Sequence, residues 1–394
     1  MAPDRLSGRA TRPSPVRILI VTDAWYPQVN GVVRTVSRLA EELRAAGRTV
    51  AVVGPHLFRT VPCPTYPEIR LSVLPGRRLA RMIEDFRPDA LHLVTEGPLG
   101  LAARRWAIRN HRCFTTSFHT RFPEYIQART GFPTGLPYRF LRWFHGAAAL
   151  TLVPTPSLLR ALGDRGFRHL ECWTRGVDAH RFRPGQAGCD WHTRFGVKGP
   201  YLLYVGRVAV EKNLTAFLDL DVPGTKIVVG DGPDRTGLAA RYPDAVFTGY
   251  LDGADLSAAY AASDVFVFPS LTDTFGLVIL EALSCGLPVA AFDVTGPRDI
   301  LPPGVSPVGA IGPDLRRNVL AALHGDRAMC RAYVARFGWD ACARMFLDAI
   351  ARAQHDAMMR ARPDAIRPAQ RGGWQAPSPA CLLSDGGTAT DSAR

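Results

Sequence analysis

Apolar residues gather along this chain in short, β-branched blocks rather than long runs. The first block, Val16-Arg-Ile-Leu-Ile-Val-Thr22, is nearly continuous, the pattern of a strand buried on both faces of a parallel sheet. After a loop from Asp23 to Gly31, Val33, Val36, Leu39, Ala40 and Leu43 recur at helical spacing and stop at Gly47, a C-terminal cap. Strands are predicted again over 49–54, 90–94, 113–117 and 150–153, with helices near 98–109 and 136–146 and another from Ser157. The pattern then restarts. Strands at 201–205, 226–229, 265–269 and 288–292 alternate with helices at 214–220, 258–262 and 277–284, and a last helix runs from 339 to about 360. Such alternation predicts an α/β protein with two doubly wound parallel sheets. The domains are a leader at 1–15, a first domain at 16–185, a Gly/Pro-rich linker at 186–200 and a second domain at 201–338. The helix at 339–361 follows, then a tail at 362–394 rich in Pro, Gly, Ser, Ala and Thr and expected to be disordered.

Composition narrows the function. With 394 residues, 47% hydrophobic and 21% charged, the chain can bury two large cores. Eight cysteines include no C-x-x-C pair, so no zinc cage is expected, and free thiols in a reducing cytosol are the default. No apolar run reaches the roughly 18 residues of a membrane span. The arginine-bearing N-terminus lacks an apolar core, so no secretory signal is expected. The net charge of +13 suggests acidic partners: nucleic acid, an anionic membrane face or a phosphorylated substrate. Only Lys198, Lys212 and Lys226 are lysines, against 45 arginines, a bias that codon usage can produce by itself. The excess is also lopsided: residues 1–197 carry +15 and residues 198–394 carry −2.

Two segments carry candidate chemistry. In the first, the loop Thr272-Asp-Thr-Phe-Gly276 feeds a helix, leaving amides near Phe275, Gly276 and Leu277 available for an anion. Asp273 precedes that helix and Glu281 follows eight residues later. Two carboxylates facing one cleft would accept hydrogen bonds from sugar hydroxyls. Alternatively, Asp273 caps the helix and Glu281 lies on a solvated face. In the second segment, Gly206-Arg207 through Glu211-Lys212-Asn213 follows the first strand of the second unit. Arg207 and Lys212 there would clamp a diphosphate. The plainer alternative is two solvated loop charges.

Together these segments resemble the retaining glycosyltransferases of family 4 (GT4), which have the GT-B fold. Asp273-x₇-Glu281 resembles the family's E-x₇-E motif, and Gly206 to Asn213 its G-R-x-x-x-E-K segment. The loop with Gly230, Gly232 and Pro233 is similar to the glycine loop bordering the nucleotide. Gly176-Val-Asp178, Ser117-Phe-His119 and Asn30-Gly31 resemble further family segments, in order from Val16 to Arg352. The branch suggested is that of GDP-mannose-dependent mannosyltransferases and glycolipid glycosyltransferases.

The resemblance implies two Rossmann-like domains facing across a cleft, with the C-terminal helix returning toward the first. It implies a hexosyltransferase moving a hexose from a nucleotide-diphosphate sugar, GDP-mannose or a UDP-hexose or UDP-hexuronate, to a membrane lipid or glycan acceptor. Arg207 and Lys212 would stabilise the leaving diphosphate, with amides around Phe275, Gly276 and Leu277. Glu281 would accept from ribose hydroxyls, while Asp273 and Thr274 read the hexose. Gly206, Gly230 and Gly232 would line the donor, His119 would sit near the anomeric carbon or the 6-position, and Asn30 and Gly31 would border the acceptor. No cofactor or metal would be needed, since the cations neutralise the diphosphate and no D-x-D triad ends a strand. This chain departs from the pattern in having Asp273 one methylene shorter than Glu, and Asn30-Gly31 in place of a double glycine.

The remaining features concern partners. Arg77, Arg78 and Arg81, Arg104, Arg105, Arg109 and Arg112, and Arg139 and Arg142 are expected on helices of the first unit. Residues 138–145 interleave aromatics with arginine, as suits an anionic headgroup layer. The alternative is solvated arginines with the aromatics in the core. The expected location is cytoplasmic, peripheral on the inner face of the plasma membrane. Two rival readings are a sugar-nucleotide epimerase of the same fold and a nucleic-acid binder. The chain has no zinc-finger or RNP signature, so nucleic acid is not expected as a partner.

Overall fold

A strand buried on both faces must feed two cores, and β1 (Arg17–Val21) does so. Ile18 and Ile20 pack with Val36, Leu39 and Leu43 of the helix Gly31–Ala45. Leu19 and Val21 pack with Leu79, Ile83, Leu99 and Ala103 on the other side. The computed structural model describes residues 16–28, 30–63, 66–185 and 190–361. The expected leader and tail, and residues 186–189 of the expected linker, lie outside them.

The first sheet continues with β2 (Thr49–Val53). A separate antiparallel hairpin follows, β3 (Thr60–Cys63) and β4 (Tyr66–Ser72). The sheet resumes with β5 (Ala90–Leu93), β6 (Thr115–Ser117), β7 (Leu150–Val153) and β8 (Leu170–Cys172). Its order is β2-β1-β5-β6-β7-β8, all parallel. The second sheet comprises β9 (Tyr201–Val205), β10 (Thr225–Val229), β11 (Val246–Gly249), β12 (Val265–Phe268), β13 (Val289–Phe292), β14 (Gly304–Ser306) and β15 (Gly309–Gly312). Its order is β11-β10-β9-β12-β13-β15-β14, with β14 antiparallel at the edge. As in β1, Leu203 and Val205 of β9 enter one core while Leu202 and Tyr204 enter the other. Both sheets are doubly wound, as the alternation predicts.

The direction of winding reverses beside β1 in the first sheet and between β9 and β12 in the second. Ligand crevices form at such switch points, outside the carboxyl ends of the strands. The last helix, Trp339–Ala361, leaves the second half and returns to the first. Its Trp339, Cys342, Phe346, Ala349 and Ile350 complete the core behind β1. Trp173 Nε1 donates to the Cys342 carbonyl at 3.0 Å. Burying Phe346 and Ile350 contributes roughly 1.5–3 kcal/mol each, so this helix fastens the two halves. Trp191, within the stretch expected to be linker, starts a short helix and is fully buried in the second core. The hairpin has no counterpart in the predicted elements, whereas Arg77, Arg78 and Arg81 lie on a helix as expected, Gly76–Phe86, whose bounds the periodicity does not give. That helix buries only Leu79 and Ile83, too sparse a stripe to stand out as periodic. Among the described residues, no helix is long and apolar enough to cross a membrane.

Candidate active site

The loops leaving β9 and β12 carry most of the predicted site. After β9, Gly206 N donates to the Val229 carbonyl at 3.0 Å and Val208 N to the Asp231 carbonyl at 2.9 Å. The loop is thereby stitched to the one that follows β10. A Cβ on Gly230 would lie 1.8 Å from the Gly206 carbonyl oxygen, and one on Gly232 would lie 2.2 Å from that of Val208. These glycines permit the contact of backbone with backbone that fixes the Arg207 segment. Tyr204 Oη adds a bond to the Arg207 carbonyl at 2.8 Å. The turn Val210–Lys212 follows, its Glu211 buried and paired with Arg129 at 3.1 Å.

Lys212 Nζ meets Asp273 Oδ1 at 2.5 Å, joining the loop after β9 to the loop after β12. Burial pushes the Lys212 ammonium pKa down, but the Asp273 carboxylate, with Tyr125 and Tyr204, outweighs it and holds it above the usual lysine range. Asp273 Oδ2 is buried with no protein partner. Such an acceptor is costly to leave unpaired, and a ligand hydroxyl would satisfy it. Asp273 does not cap the helix Leu277–Ser284. That helix starts from Gly276, at φ +100°, with no side-chain cap, so its amide end is available to an anion. The left-handed backbone is what requires glycine there.

Glu281 does not lie on a solvated face either. It is buried, with Oε1 accepting from Arg34 Nη1 and Oε2 from Tyr260 Oη, each at 2.9 Å. Arg34 belongs to the first half, on the helix Gly31–Ala45, so this pair closes across the two halves. A Cβ on Gly31 would sit 3.8 Å from Leu277 Cδ1, which brings the starts of the two helices together. Asn30 is occupied as an N-cap, its Oδ1 accepting from Val32 N and Val33 N at 3.0 Å each.

His119 follows β6, and its carbonyl accepts from Thr274 Oγ1 at 2.7 Å. Behind it runs a relay. His119 Nε2 meets Ser117 Oγ at 2.7 Å, Ser117 Oγ meets His92 Nε2 at 3.1 Å, and His92 Nδ1 meets Thr115 Oγ1 at 2.8 Å. Burial, then the Arg175 charge, depresses His119 well below the usual histidine range and His92 to about 3. Both rings are neutral at pH 7, so His119 presents a hydrogen-bonding imidazole rather than a cation. Ser117→Ala should leave His119 unanchored and His92 short of a partner. Turnover should fall roughly 10- to 100-fold, with the donor KM nearly constant, and Ser117→Thr should restore it. Unchanged turnover in Ser117→Ala would mean that His119 does not act on the reacting groups.

The structure thus gathers Lys212, Asp273, Thr274, Gly276 and His119 in one place, with Glu281 and Gly31 alongside. Arg34, Tyr260, Ser117 and His92 were not among the predicted residues. For Ser117 the sequence carries a signal, since it ends a predicted strand two residues before His119. Arg34 had none. Among the described residues, no three His, Cys, Asp or Glu are grouped to hold a metal ion.

Residues 29–181 match the family model described as Glycosyltransferase Family 4, and residues 199–322 that described as Glycosyl transferases group 1. The chain is 33% identical over 315 residues to a GDP-mannose-dependent alpha-mannosyltransferase of Mycobacterium tuberculosis, covering 73% of this chain and 82% of that one. It is 24% identical over 314 residues to an alpha-monoglucosyldiacylglycerol synthase of Streptococcus pneumoniae, covering 70% and 71%. Its fold matches that of sucrose-phosphate synthase from Thermosynechococcus elongatus with a TM-score of 0.68 at 20% identity, over 86% of this chain and 100% of that one. The two model matches fall on the two sheets in order, with the charged loops at the switch point between β9 and β12. The chain therefore belongs to glycosyltransferase family 4, as an enzyme of GT-B fold that transfers sugar from a nucleotide sugar.

Proposed function

We propose that this enzyme moves a hexose, with retention at the anomeric carbon, from a nucleotide-diphosphate sugar to a membrane lipid or lipid-linked acceptor. The observation that carries this reading is the convergence of Lys212, Asp273, the uncapped helix end at Gly276 and His119 at the switch point. Arg207, Lys212 and the helix amides meet the charge that develops on the leaving diphosphate, a transition-state role that needs no divalent cation. Asp273 Oδ2 and Thr274 read hexose hydroxyls, Glu281 takes the ribose, and Gly206, Gly230 and Gly232 shape the donor loop. The neutral His119 ring bonds the sugar near its reacting carbon, and Asn30 and Gly31 border the acceptor. The acceptor oxygen bonds to the anomeric carbon on the face that the diphosphate leaves. The C–O bond to the diphosphate breaks, and the departing phosphate oxygen takes the acceptor's proton. The products are the glycoside and the nucleoside diphosphate.

The first relative's name specifies GDP-mannose and the second's a glucosylated diacylglycerol, so the donor panel must span both. The lipid reading draws on the +15 of the first half, which suits an anionic membrane face on the cytoplasmic side. The test is to incubate the enzyme with GDP-mannose and with UDP-hexoses and UDP-hexuronates, with and without lipid extract, with and without a chelator, and to weigh the products. A lipid heavier by one hexose, formed equally with chelator, is expected. A new sugar nucleotide from donor alone would make the enzyme an epimerase and overturn the proposal.

A further inference from the structure

An anion site is an unexpected place for a carboxylate, yet Glu211 stands directly before Lys212 in the turn Val210–Lys212. Its side chain is only 2% exposed, so water does little to disperse its charge. Left alone it would draw the Lys212 ammonium and repel a diphosphate. The partner that neutralises it comes from the first half. Arg129, on the helix Phe122–Thr130, donates from Nη2 to Glu211 Oε2 at 3.1 Å and to Oε1 at 3.4 Å, across 82 positions of chain. Tyr125 lies one turn earlier on the same face of that helix. Burial raises its hydroxyl above the usual tyrosine range, the Lys212 charge pulls it back, and Asp273 and Glu211 push it up again, so all three charges lie near it. The Glu211 carbonyl accepts from Thr272 Oγ1 at 3.3 Å, which ties the turn to the loop bearing Asp273. The helix starts just after His119, and its Glu124 accepts from Tyr138 Oη at 2.6 Å, which fixes it to the next helix. The contacts close a ring. It runs from His119 through this helix to Glu211, then to Lys212, Asp273 and Thr274, whose hydroxyl returns to the His119 carbonyl.

We infer that Arg129 is a positioning residue for sugar transfer, contributed by the first half to the diphosphate clamp of the second. It cancels the Glu211 charge and holds the turn, so that the Lys212 ammonium stays aimed at the leaving diphosphate. With Arg129, three cations (Arg129, Arg207 and Lys212) stand against two carboxylates, Asp273 and Glu211. Without it the charges balance, and no excess is left to meet the charge that develops as the diphosphate departs. The inference rests on the reading that Lys212 meets that diphosphate.

The test is steady-state kinetics of the full chain, read as nucleoside diphosphate released with lipid extract. The donor is whichever of GDP-mannose and the UDP-sugars gives the faster release. Arg129→Ala should lower kcat about 10- to 100-fold, while donor KM rises by no more than about threefold. Arg129→Lys keeps the charge and one bond to Glu211, so it should recover part of the loss. Because Arg129 acts through Lys212, the two should not add. In a Lys212→Ala background, Arg129→Ala should cost less than about twofold further. Melting temperatures are compared throughout. Arg129→Gln, which spares a hydrogen bond to the buried carboxylate, carries the test if Arg129→Ala melts early, and it should lose kcat in the same way. The inference is overturned if Arg129→Ala turns over as wild type, if its loss lies in KM, or if Arg129→Lys recovers nothing. It is also overturned if Arg129→Ala costs as much in the Lys212→Ala background as it does alone. Near-normal turnover of Lys212→Ala would refute the diphosphate role itself. An impaired Lys212→Ala beside a normal Arg129→Ala would refute only the positioning role.

Discussion

Lys212→Ala is expected to cut turnover by roughly 10²–10³-fold, the effect of losing one preorganised group that meets developing charge. Geometry adds a second consequence. Lys212 is the partner of Asp273 Oδ1, and Asp273 Oδ2 is already buried without one. Removing the ammonium leaves a mostly buried carboxylate unpaired, at a cost of about 2–3 kcal/mol, below the full range for a deeply buried pair because both side chains keep some contact with water. Lost turnover in Lys212→Ala alone would therefore be ambiguous. Lys212→Ala/Asp273→Asn separates the two effects, since it removes the orphan charge along with the cation. Stability should largely return, measured by chemical denaturation, while turnover stays low. If the double variant recovers both, Lys212 is a structural cation and the diphosphate role is wrong. Arg207→Ala should also lose turnover. Because Lys212 is held above its ordinary range, it stays charged from pH 7 to 9. Its contribution to stability is present throughout that window and fades only at higher pH, so no loss of turnover across it should trace to Lys212.

What the sequence reveals here follows from how local each feature is. The central strands are legible because a run such as Val16 to Thr22 needs two cores, and a two-faced sheet is the simple way to supply them. The loops after β9 and β12 are legible because a charged, glycine-bearing segment at a strand end has few other uses. The spacing of Asp273 and Glu281 is legible, but their partners are not. Glu281 binds Arg34 across 247 positions of chain, and Tyr260 lies on a helix that reads only as apolar. The arginine excess is also less than it looks. Arg17, Arg44, Arg104 and Arg112 donate to the carbonyls of Phe86, Val50, Phe144 and Pro88, and so serve the fold rather than a ligand. The segment 138–145 divides between its two readings. Tyr138 and Phe144 enter the core, while Phe140 and Trp143 stay outside. Periodicity says which residues share a face, but not how many faces are covered.

Arg34 makes the second large prediction. If Glu281 holds the donor's ribose, two hydrogen bonds to a carboxylate are at stake, and Glu281→Ala should weaken nucleoside diphosphate binding by about 10²-fold or more. In the structure, however, Arg34 already occupies Glu281 Oε1, and Tyr260 occupies Oε2. Each carboxylate oxygen has a second lone pair, so Tyr260 can stay. Arg34 is different, because it belongs to the first half and the ribose would compete with its guanidinium for Oε1. Donor binding then has to move Arg34 aside, and the energy of that ion pair is subtracted from affinity. Arg34→Ala removes the competitor, so binding should tighten by about two- to fivefold, in keeping with the modest worth of a pair whose arginine is part-exposed. The two variants should therefore shift calorimetric affinity in opposite directions. If Arg34→Ala weakens binding as much as Glu281→Ala does, Arg34 is itself a donor contact and the competition is absent. If Glu281→Ala leaves affinity unchanged, the ribose lies elsewhere, and the buried Arg34–Glu281–Tyr260 cluster only fastens the two halves. Glu281→Gln decides between charge and hydrogen bonding. Its amide oxygen can keep the Tyr260 bond while the charge that holds Arg34 is gone, so it should lose far less affinity than Glu281→Ala.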